Sequence, residues 1–596
     1  MPFGAEFQPG GSVRFSLWAP NHERIGIQLN GDTTPALPMR READGWHRLT
    51  TDRAAAGSRY RFILPDGFPV PDPASRHQPD DVHGPSEVVD PQHYAWSDAH
   101  WHGRPWAASV IYELHIGSFT AAGTFLAAIE RLDHLVELGV TVLELMPVAD
   151  FPGRRNWGYD GVLPFAPDSS YGRPEHLKAL VDAAHARGLM VLLDVVYNHF
   201  GPEGNYLSLY APQFFNPQHQ TPWGAAINFD AEGSRTVREF FIHNALYWLE
   251  EFHLDGLRLD AVHAIVDDSP MHILEELATR VRAAALPRSA HLILENEHNQ
   301  ARWLRRDARG NALLYDGQWN DDVHHVLHVA ASGEAEGYYA DYQGNTERLG
   351  CALAQGFAFQ GELMPYRGSA RGESSTHLPP SAFVAFLQNH DQVGNRALGE
   401  RLSAFTDPAA LRAVTALYLL LPQIPMLFMG EEWHSRRPFQ FFCDFGGELG
   451  DAVSNGRRQE FARFEAFSDP GKRASIPDPQ AERTFDDSKL DWERLADPQH
   501  AATVRWYRDL LRVRRRHIAP LLPELAVAGE FSIIDHGALV VRWRARGGAE
   551  LTLMVNLSAH AVAGFPAERG SLLWQEGHVD AAGTFSPWSL RWTLRA

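Results

Sequence analysis

The chain has 596 residues, of which 44% are hydrophobic and 21% are charged, the balance of an ordinary folded protein with a large core. This length exceeds the size at which a single core stops growing, so we expect about two to four domains. The formal net charge of −20 at pH 7 argues against nonspecific binding to nucleic acid or to anionic membranes, because both need a basic surface. A neutral ligand is compatible with this charge.

The chain contains only two cysteines, Cys351 and Cys443, which are too few for a disulfide framework and match no metal motif. The N-terminal run MPFGAEFQPGG lacks the basic and apolar segments of a secretion signal. The most apolar stretch, about 413–429, contains two prolines and falls short of a membrane span. We therefore expect a cytoplasmic protein.

The first 105 residues are rich in proline, glycine and short alternating runs such as VRFSLWAP and RIGIQL. Alternation over a few residues, bounded by turn residues, is typical of half-buried strands. Residues 1–105 are therefore predicted to form a small β-sandwich.

After residue 105 the sequence changes to apolar strand candidates that alternate with helical patterns, the signature of an α/β protein with a parallel sheet. The eight strand candidates are 110–116, 140–148, 189–199, 256–262, 291–297, 313–319, 383–391 and 424–432. Eight such units over 106–525 predict a closed (β/α)8 TIM barrel, whose active site lies where the strands end.

Helix candidates lie between the strands, at 125–139, 175–188 and 238–252, and a further one at 506–517 closes the barrel domain. Beyond it, strand patterns predict a C-terminal β-domain over 526–596. The segments 201–230 and 333–381 are too long for tight connections, and in a barrel such loops usually build the substrate cleft.

Acidic and histidine residues recur at the C-terminal ends of four strand candidates, at 194–199, 258–263, 295–297 and 389–391. One such cluster alone would indicate a solvated strand end or an ion pair. Four on four strands of one barrel predict a common pocket, because charged groups there cost desolvation unless they are paired or used.

Residue spacing assigns some of the chemistry. Arg258 and Asp260 are two apart and project from the same side of a strand, so the guanidinium favours the ionised carboxylate that a nucleophile requires. Glu295 and Glu297 share a face by the same rule. Either could serve as the protonated acid, and periodicity does not choose between them.

The runs DVVYNH (194–199), GLRLDAVH (256–263), ILENE (293–297) and FLQNHD (386–391) resemble, in order and spacing, the four signature regions of the α-amylase family of glycoside hydrolases. The resemblance implies Asp260 as nucleophile, Glu295 as acid/base, and Asp391 as the carboxylate that grips hydroxyls of the sugar being cleaved. It implies a retaining mechanism through a covalent glycosyl-enzyme, with the first two carboxyl groups roughly 5 to 6 Å apart and without a cofactor or a catalytic metal.

The same resemblance implies residues that line the sugar subsite: Tyr159, which would stack on the ring, His199, Arg258 and His390. Asp194 would support the pocket. Asn198 matches a position that helps to bind calcium in many amylases, but no companion ligands are evident. We therefore predict a hydrogen-bonding asparagine and no metal site.

Further sequence motifs restrict the activity expected within this family. FSLWAPNHERIGIQL resembles the starch-binding-like module of branching and debranching enzymes, and YELHIGSFT, TPWGAAINFD, PYRG and MLFMGEEW are similar to a subgroup that acts on maltooligosyltrehalose. That subgroup hydrolyses the α-1,4 bond next to the terminal trehalose, and pairs with a synthase that makes this glucan. Trp223, in the TPWG block, is a candidate for sugar stacking, with loop packing as the alternative.

Three other activities stay open at the level of sequence. A glucan-branching transferase would use the same three carboxylates but pass the glycosyl group to a glucan hydroxyl instead of water. A general α-amylase would cleave linear glucans. A non-catalytic glucan-binding barrel need not keep all three carboxylates, and this chain has them.

Overall fold

The computed structural model describes residues 1–596 except 32–34, 222, 285, 464–466 and 468, so Pro222 of the TPWG block lies outside the described residues. The N-terminal region forms two antiparallel sheets. The strands of the first are Gly4–Phe7, Val13–Trp18, Trp46–Thr51 and Arg40–Arg41, and those of the second are Leu37–Pro38, Gly26–Leu29, Arg59–Ile63, Pro69–Val70 and Ser86–Glu87. These two sheets make the predicted β-sandwich.

The predicted barrel is confirmed: eight parallel strands close into a ring in chain order. They are Ile111–Leu114, Val142–Leu145, Met190–Val195, Gly256–Leu259, His291–Leu294, Gly317–Trp319, Phe383–Ala385 and Ile424–Phe428. Every residue of these strands is buried, which explains their continuous apolar runs. Asp194 and Arg258 lie near the ends of their strands, and Asp260, Glu295 and Asp391 follow the ends of theirs, so the polar clusters lie at the rim.

Helices surround the barrel. Their bounds are Ile116–Phe119, Phe125–Ile129, Leu132–Leu138, Pro174–Ala186, Leu207–Tyr210, Ser234–Glu251, Ile273–Ala283, Asp321–Ser332, Thr346–Gln355, His390–Gly394, Pro408–Leu420, Gly447–Glu460, Pro470–Arg473, Glu482–Asp487 and Pro498–Val513. The single helix predicted over 125–139 is wrong, because the chain breaks into two helices there. The second of these ends at Gly139, whose φ of 109° suits only glycine.

The segment 333–381, predicted as a loop, contains the helix Thr346–Gln355. This helix packs on the C-terminal domain, where a Cβ on Gly350 would lie 2.3 Å from the ring of Phe531. The rest of the segment includes a short hairpin, Leu363–Met364 with Ser369–Ala370. Only part of the segment is therefore free to shape a cleft.

The C-terminal region is a five-stranded antiparallel sheet, as predicted. Its strands, in spatial order, are Glu530–Asp535, Ala538–Arg544, Glu550–Asn556, Ser589–Arg595 and Ser571–Glu576. The domain boundaries near residues 105 and 525 stay predictions. No helix in the described part of the chain combines the length and the apolar character needed to cross a membrane.

Candidate active site

Arg258, at the end of the fourth barrel strand, is the centre of the polar network at the barrel rim. Its Nη1 donates to Oδ2 of Asp194 at 2.7 Å and to Oδ1 of Asp260 at 2.8 Å, and its Nη2 donates to Oε2 of Glu295 at 2.9 Å. The guanidinium is fully buried and lies over the ring of Trp319, with Cζ 3.9 Å from the ring centroid. One cation therefore holds carboxylates from three strands.

Burial and neighbouring charges shift the pKa values of this network in opposite directions. Burial alone would lower the pKa of Arg258, but the charges of Asp194 and Glu295 outweigh it and raise that pKa well above its ordinary value. Burial raises the pKa of Asp194 to about 7, although Arg258 lowers it. The guanidinium is permanently charged, so it can stabilise an ionised carboxylate beside it.

Asp260 is also held by Asn198, whose Nδ2 donates to Oδ2 of Asp260 at 3.0 Å. The other amide atom of Asn198, Oδ1, lies 2.5 Å from Nδ1 of His199. Both oxygens of Asp260 have a fixed donor, which leaves this carboxylate in one orientation.

Glu295 and Glu297 do not share a face. The fifth strand ends at Leu294, so the alternation of side chains does not continue to Glu297. Oε2 of Glu295 accepts from Arg258 and, at 2.8 Å, from the backbone N–H of Ala261. Glu297 is half-exposed and binds Arg367 at 2.7 Å instead. Of these two glutamates, Glu295 is therefore the one that joins Asp260 on the central guanidinium.

The backbone at Ala261 explains part of this geometry. Ala261 follows Asp260 and has φ 39° and ψ 46°, in the left-handed region that costs an alanine roughly 1–2 kcal/mol. This turn points its N–H at Glu295. Strain of this kind persists where surrounding contacts hold it, and it is often found at functional sites.

Asp391 lies on the other side of the pocket, in the helix His390–Gly394 that follows the seventh strand. Its side chain is 36% exposed, against 11% for Asp260 and 19% for Glu295, so it is the most accessible of the three carboxylates. Asn395 donates to its Oδ1 at 3.1 Å. His390, next to it, is buried and binds Glu113 of the first strand.

Tyr159 contacts Asp194 and His390. Its hydroxyl donates to Oδ2 of Asp194 at 2.6 Å, and its ring stacks on His390 with centroids 5.1 Å apart and an interplanar angle of 23°. One face of the ring is therefore already covered by protein. Stacking on a sugar stays a prediction for this residue.

The structure brings His199 and Trp223 together. Their rings stack at 4.6 Å with an angle of 9°, and Nε2 of His199 lies 2.9 Å from the carbonyl oxygen of Tyr159. Trp223 sits between the hairpin strands Phe215–Thr221 and Gly224–Ile227 and is 50% exposed. The long segment 201–230 thus reaches the rim of the pocket.

Sequence reasoning missed three residues of this site. Trp319 covers Arg258, and Glu113 holds His390. Asp321 follows the sixth strand, between the strand of Glu295 and the strand before Asp391; burial, followed by the charge of Glu295, raises its pKa well above the usual range. The acidic pair at the end of the sixth strand candidate was the available signal, because the same pattern marked the other four clusters.

A possible metal group lies elsewhere. Among the described residues, the side chains of His219, Asp230 and Asp268 have ligand atoms within 4.8 Å of one another. His219 belongs to the hairpin that carries Trp223. Asn198 is not part of this group. The absence of a metal at the catalytic carboxylates stays a prediction.

Comparisons with known proteins show the family to which the chain belongs. Residues 63–218 match the model of the α-amylase catalytic domain, and residues 527–592 match a domain of unknown function, DUF3459. The chain is 44% identical to the malto-oligosyltrehalose trehalohydrolase of Deinococcus radiodurans, covering 97% of this chain and 94% of the relative. It is 39% identical to that of Saccharolobus solfataricus, covering 95% and 97%.

A solved structure has the same fold. A crystal structure of a protein from Salmonella typhimurium assigned as an alpha amylase is 46% identical, with a TM-score of 0.95, and covers 100% of this chain and 99% of that one. The barrel and its rim of carboxylates therefore define a glycoside hydrolase of the α-amylase family. Within it, the chain belongs to the family of malto-oligosyltrehalose trehalohydrolases.

Proposed function

We propose that this chain hydrolyses the α-1,4-glucosidic bond next to the terminal trehalose of maltooligosyltrehalose, with Asp260 as nucleophile and Glu295 as acid/base. The observation that carries the proposal is the shared guanidinium: Arg258 binds both carboxylates, within 2.9 Å, in a chain that matches trehalohydrolases over nearly its full length. Substrates of this family are α-1,4-glucans, which fits an acidic protein without a basic face.

In the first step, Glu295 transfers its proton to the glycosidic oxygen while a carboxylate oxygen of Asp260 attacks the anomeric carbon. The bond between this carbon and the leaving oxygen breaks, and trehalose leaves as a neutral alcohol. Asp260 is then an ester with the remaining glucan. Arg258 and Asn198 orient the attacking carboxylate, each through a hydrogen bond to one of its oxygens.

In the second step, Glu295, now ionised, takes a proton from a water molecule, and the water oxygen attacks the anomeric carbon from the side that trehalose left. The ester bond to Asp260 breaks and both carboxyl groups return to their starting state. Two inversions retain the anomeric configuration. Asp391, the most exposed of the three, binds hydroxyls of the sugar in this subsite.

Specificity for the trehalose end follows from its shape. Trehalose joins two glucoses through both anomeric carbons, so it ends the glucan with a fixed bend and no free reducing hydroxyl. A pocket shaped for this end directs hydrogen bonds at positions that a linear maltose end leaves empty. Buried polar groups without partners discriminate strongly, by about 1–3 kcal/mol for each group.

The decisive experiment is a product analysis on maltohexaosyltrehalose and, in parallel, on the linear malto-oligosaccharide of equal length. We expect release of free trehalose, at a rate at least tenfold higher than cleavage of the linear glucan. Equal rates would reduce the activity to that of a general α-amylase. New α-1,6 branches on amylose without trehalose release would instead favour the branching transferase.

The substrate also implies a partner reaction. A synthase must convert the reducing end of a malto-oligosaccharide into a trehalose unit before this enzyme can act, so we propose that the two work in sequence. We propose the cytoplasm as their location. Both cysteines, Cys351 and Cys443, are free thiols, as expected in a reducing compartment.

A further inference from the structure

Glu113 is a buried carboxylate under the active site that the reaction above does not use. It lies on the first barrel strand, paired with Glu144 on one side and Phe428 on the other. Its Oε1 lies 2.5 Å from Nδ1 of His390, and its Oε2 accepts the backbone N–H of His390 at 3.1 Å. One carboxylate therefore fixes both the ring and the backbone of that histidine.

The ring of His390 is enclosed by aromatic side chains. Tyr159 stacks on it, Trp157 meets it edge-on at 5.5 Å, and Trp319 is tilted against it at 5.9 Å. These contacts, together with Glu113, leave the ring one orientation. In that orientation the second nitrogen, Nε2, lies 3.5 Å from Oδ1 of Asp391.

Both ring nitrogens thus face a carboxylate oxygen. A carboxylate accepts hydrogen bonds, so the nitrogen opposite it needs a proton. A neutral ring has one proton and would leave either Glu113 or Asp391 opposite a bare nitrogen lone pair. Only the imidazolium, with a proton on both nitrogens, hydrogen-bonds Glu113 and forms an ion pair with Asp391 at the same time.

We propose that Glu113 is a positioning residue that holds His390 as an imidazolium, whose Nε2–H donates to oxygen atoms of the sugar bound beside Asp391. The proposal rests on the proposed function, because it assigns His390 to the same sugar subsite. Glu113 acts through His390 and does not itself touch the substrate.

The surrounding charges agree with a cationic ring. Burial alone would lower the pKa of His390, but the charges of Asp391 and Glu113 outweigh it and raise that pKa to about 9, while Arg258 acts in the opposite direction. Burial raises the pKa of Glu144 well above its usual range and so favours the neutral form of this neighbour.

Two other titratable groups complete the surroundings of the ring. Burial lowers the pKa of His115 to about 4, and burial raises the pKa of Tyr159 well above its usual value, so both are neutral near pH 7. The raised pKa of His390 fixes the direction of the pH dependence. The imidazolium of His390 is present below about pH 9 and is lost as the pH rises through that value, together with the stability it contributes.

The first test is direct and needs no activity. The chain has 30 histidines, so the ring signals of His390 in a histidine-labelled sample are identified as those missing from His390→Asn. We expect NMR to show this ring protonated up to about pH 9 in the wild type, and a midpoint at least two pH units lower in Glu113→Gln. A wild-type ring that is neutral at pH 7, or a midpoint that Glu113→Gln leaves unchanged, would overturn the proposal.

The second test is the pH dependence of kcat/KM, measured on whichever glucan the enzyme cleaves. If the midpoint falls from about 9 to an ordinary 6.5, the protonated fraction at pH 8, and with it kcat/KM, falls about 30-fold in Glu113→Gln. The loss should shrink towards pH 5.5, whereas a purely structural defect would persist there.

The matched control is Glu144→Gln. It replaces the carboxyl group at the paired position of the neighbouring strand, where burial already favours the neutral form. We expect the wild-type pH profile. If Glu113→Gln does not fold, the titration of the wild-type ring still decides the proposal. Failure to release trehalose would count against the proposed function alone, since the titration does not depend on the product.

Discussion

The buried centre of the site and its exposed rim are built in different ways. At the centre, Arg258 is fully buried and hydrogen-bonds three carboxylates: Asp260 on its own strand end, and Asp194 and Glu295 at the ends of the two neighbouring strands. At the rim, Trp223 is 50% exposed and lies at the turn of a short hairpin. The chemical groups are thus held by the barrel, while a loop carries the exposed aromatic ring.

This difference predicts two kinds of mutational effect. Carboxylates of the centre act mainly on the transition state, so their loss should lower kcat. An aromatic group of the rim that stacks on a sugar contacts the substrate equally before and during the reaction, so its loss should raise KM. Substitutions at the centre and at the rim test this difference.

Asp260→Asn should have the largest effect. The amide cannot form the ester with the anomeric carbon, so we expect kcat to fall on the order of 10³-fold or more, while unfolding temperature and glucan binding stay close to wild type. Steady-state kinetics on maltohexaosyltrehalose measures kcat, and calorimetry measures the unfolding temperature and the binding of the glucan. Asp580→Asn, in the exposed C-terminal domain, is the matched control. Near-normal turnover in Asp260→Asn would exclude it as the nucleophile.

Glu295→Gln and Glu297→Gln make the same substitution at two nearby positions. The first lies in the buried centre of the site and the second at its exposed rim. Glu295 shares Arg258 with Asp260, so its amide should lower kcat by roughly 10²- to 10⁴-fold. Glu297 binds Arg367 and is half-exposed, so its amide should cost about tenfold or less. Azide attacks the glycosyl-enzyme without a base, so it should partly restore Glu295→Gln on an α-maltosyl fluoride, whose leaving group needs no proton. A larger loss at Glu297 would show that the assignment is reversed.

Asn198→Ala should have an intermediate effect, because it removes the donor to Oδ2 of Asp260 and leaves the carboxylate itself. The loss of such a hydrogen bond costs about 1–3 kcal/mol, or roughly 5- to 150-fold in kcat/KM. Asn198→Ser, which keeps a donor, should recover part of the rate. If the rate is instead lost on chelation of metals in the wild type, the calcium alternative for this residue would return.

Most of the fold was predictable, because each barrel strand is buried on both faces and so appears as a continuous apolar run. The errors occurred where burial is uneven. The run 125–139 has helical spacing throughout, yet the chain breaks between Ile129 and Leu132. The helix Thr346–Gln355 was not predicted, because its segment is rich in glycine and aromatic residues. It forms because it can pack on the C-terminal sheet.

The centre of the site was predictable for the same kind of reason, since its residues lie directly after strands whose ends the sequence marks. Glu295 and Glu297 were not separable, because strand alternation no longer holds once the strand has ended at Leu294. Glu113 could not be predicted as a partner of His390, because the contact joins the first strand to the end of the seventh. These two strands come together only when the barrel closes.

Trp223→Ala should have the smallest effect of the four. The ring stacks on His199, and half of its surface is exposed towards solvent, so it can offer its outer face to a sugar. Contacts of this size contribute about 0.5–1.5 kcal/mol beyond burial. We therefore expect KM for maltohexaosyltrehalose to rise roughly two- to tenfold, with kcat within twofold of the wild type.

The matched variant is Trp223→Phe, which keeps an aromatic face on His199 and should recover most of the affinity. The same measurements on a short substrate, maltosyltrehalose, show where the ring acts: if KM rises for the long glucan only, Trp223 binds sugar units beyond the cleaved bond. A fall in kcat with KM unchanged would place Trp223 with the centre instead of the rim. In that case the ring would act by holding His199 against Asn198, and through it the carboxylate of Asp260.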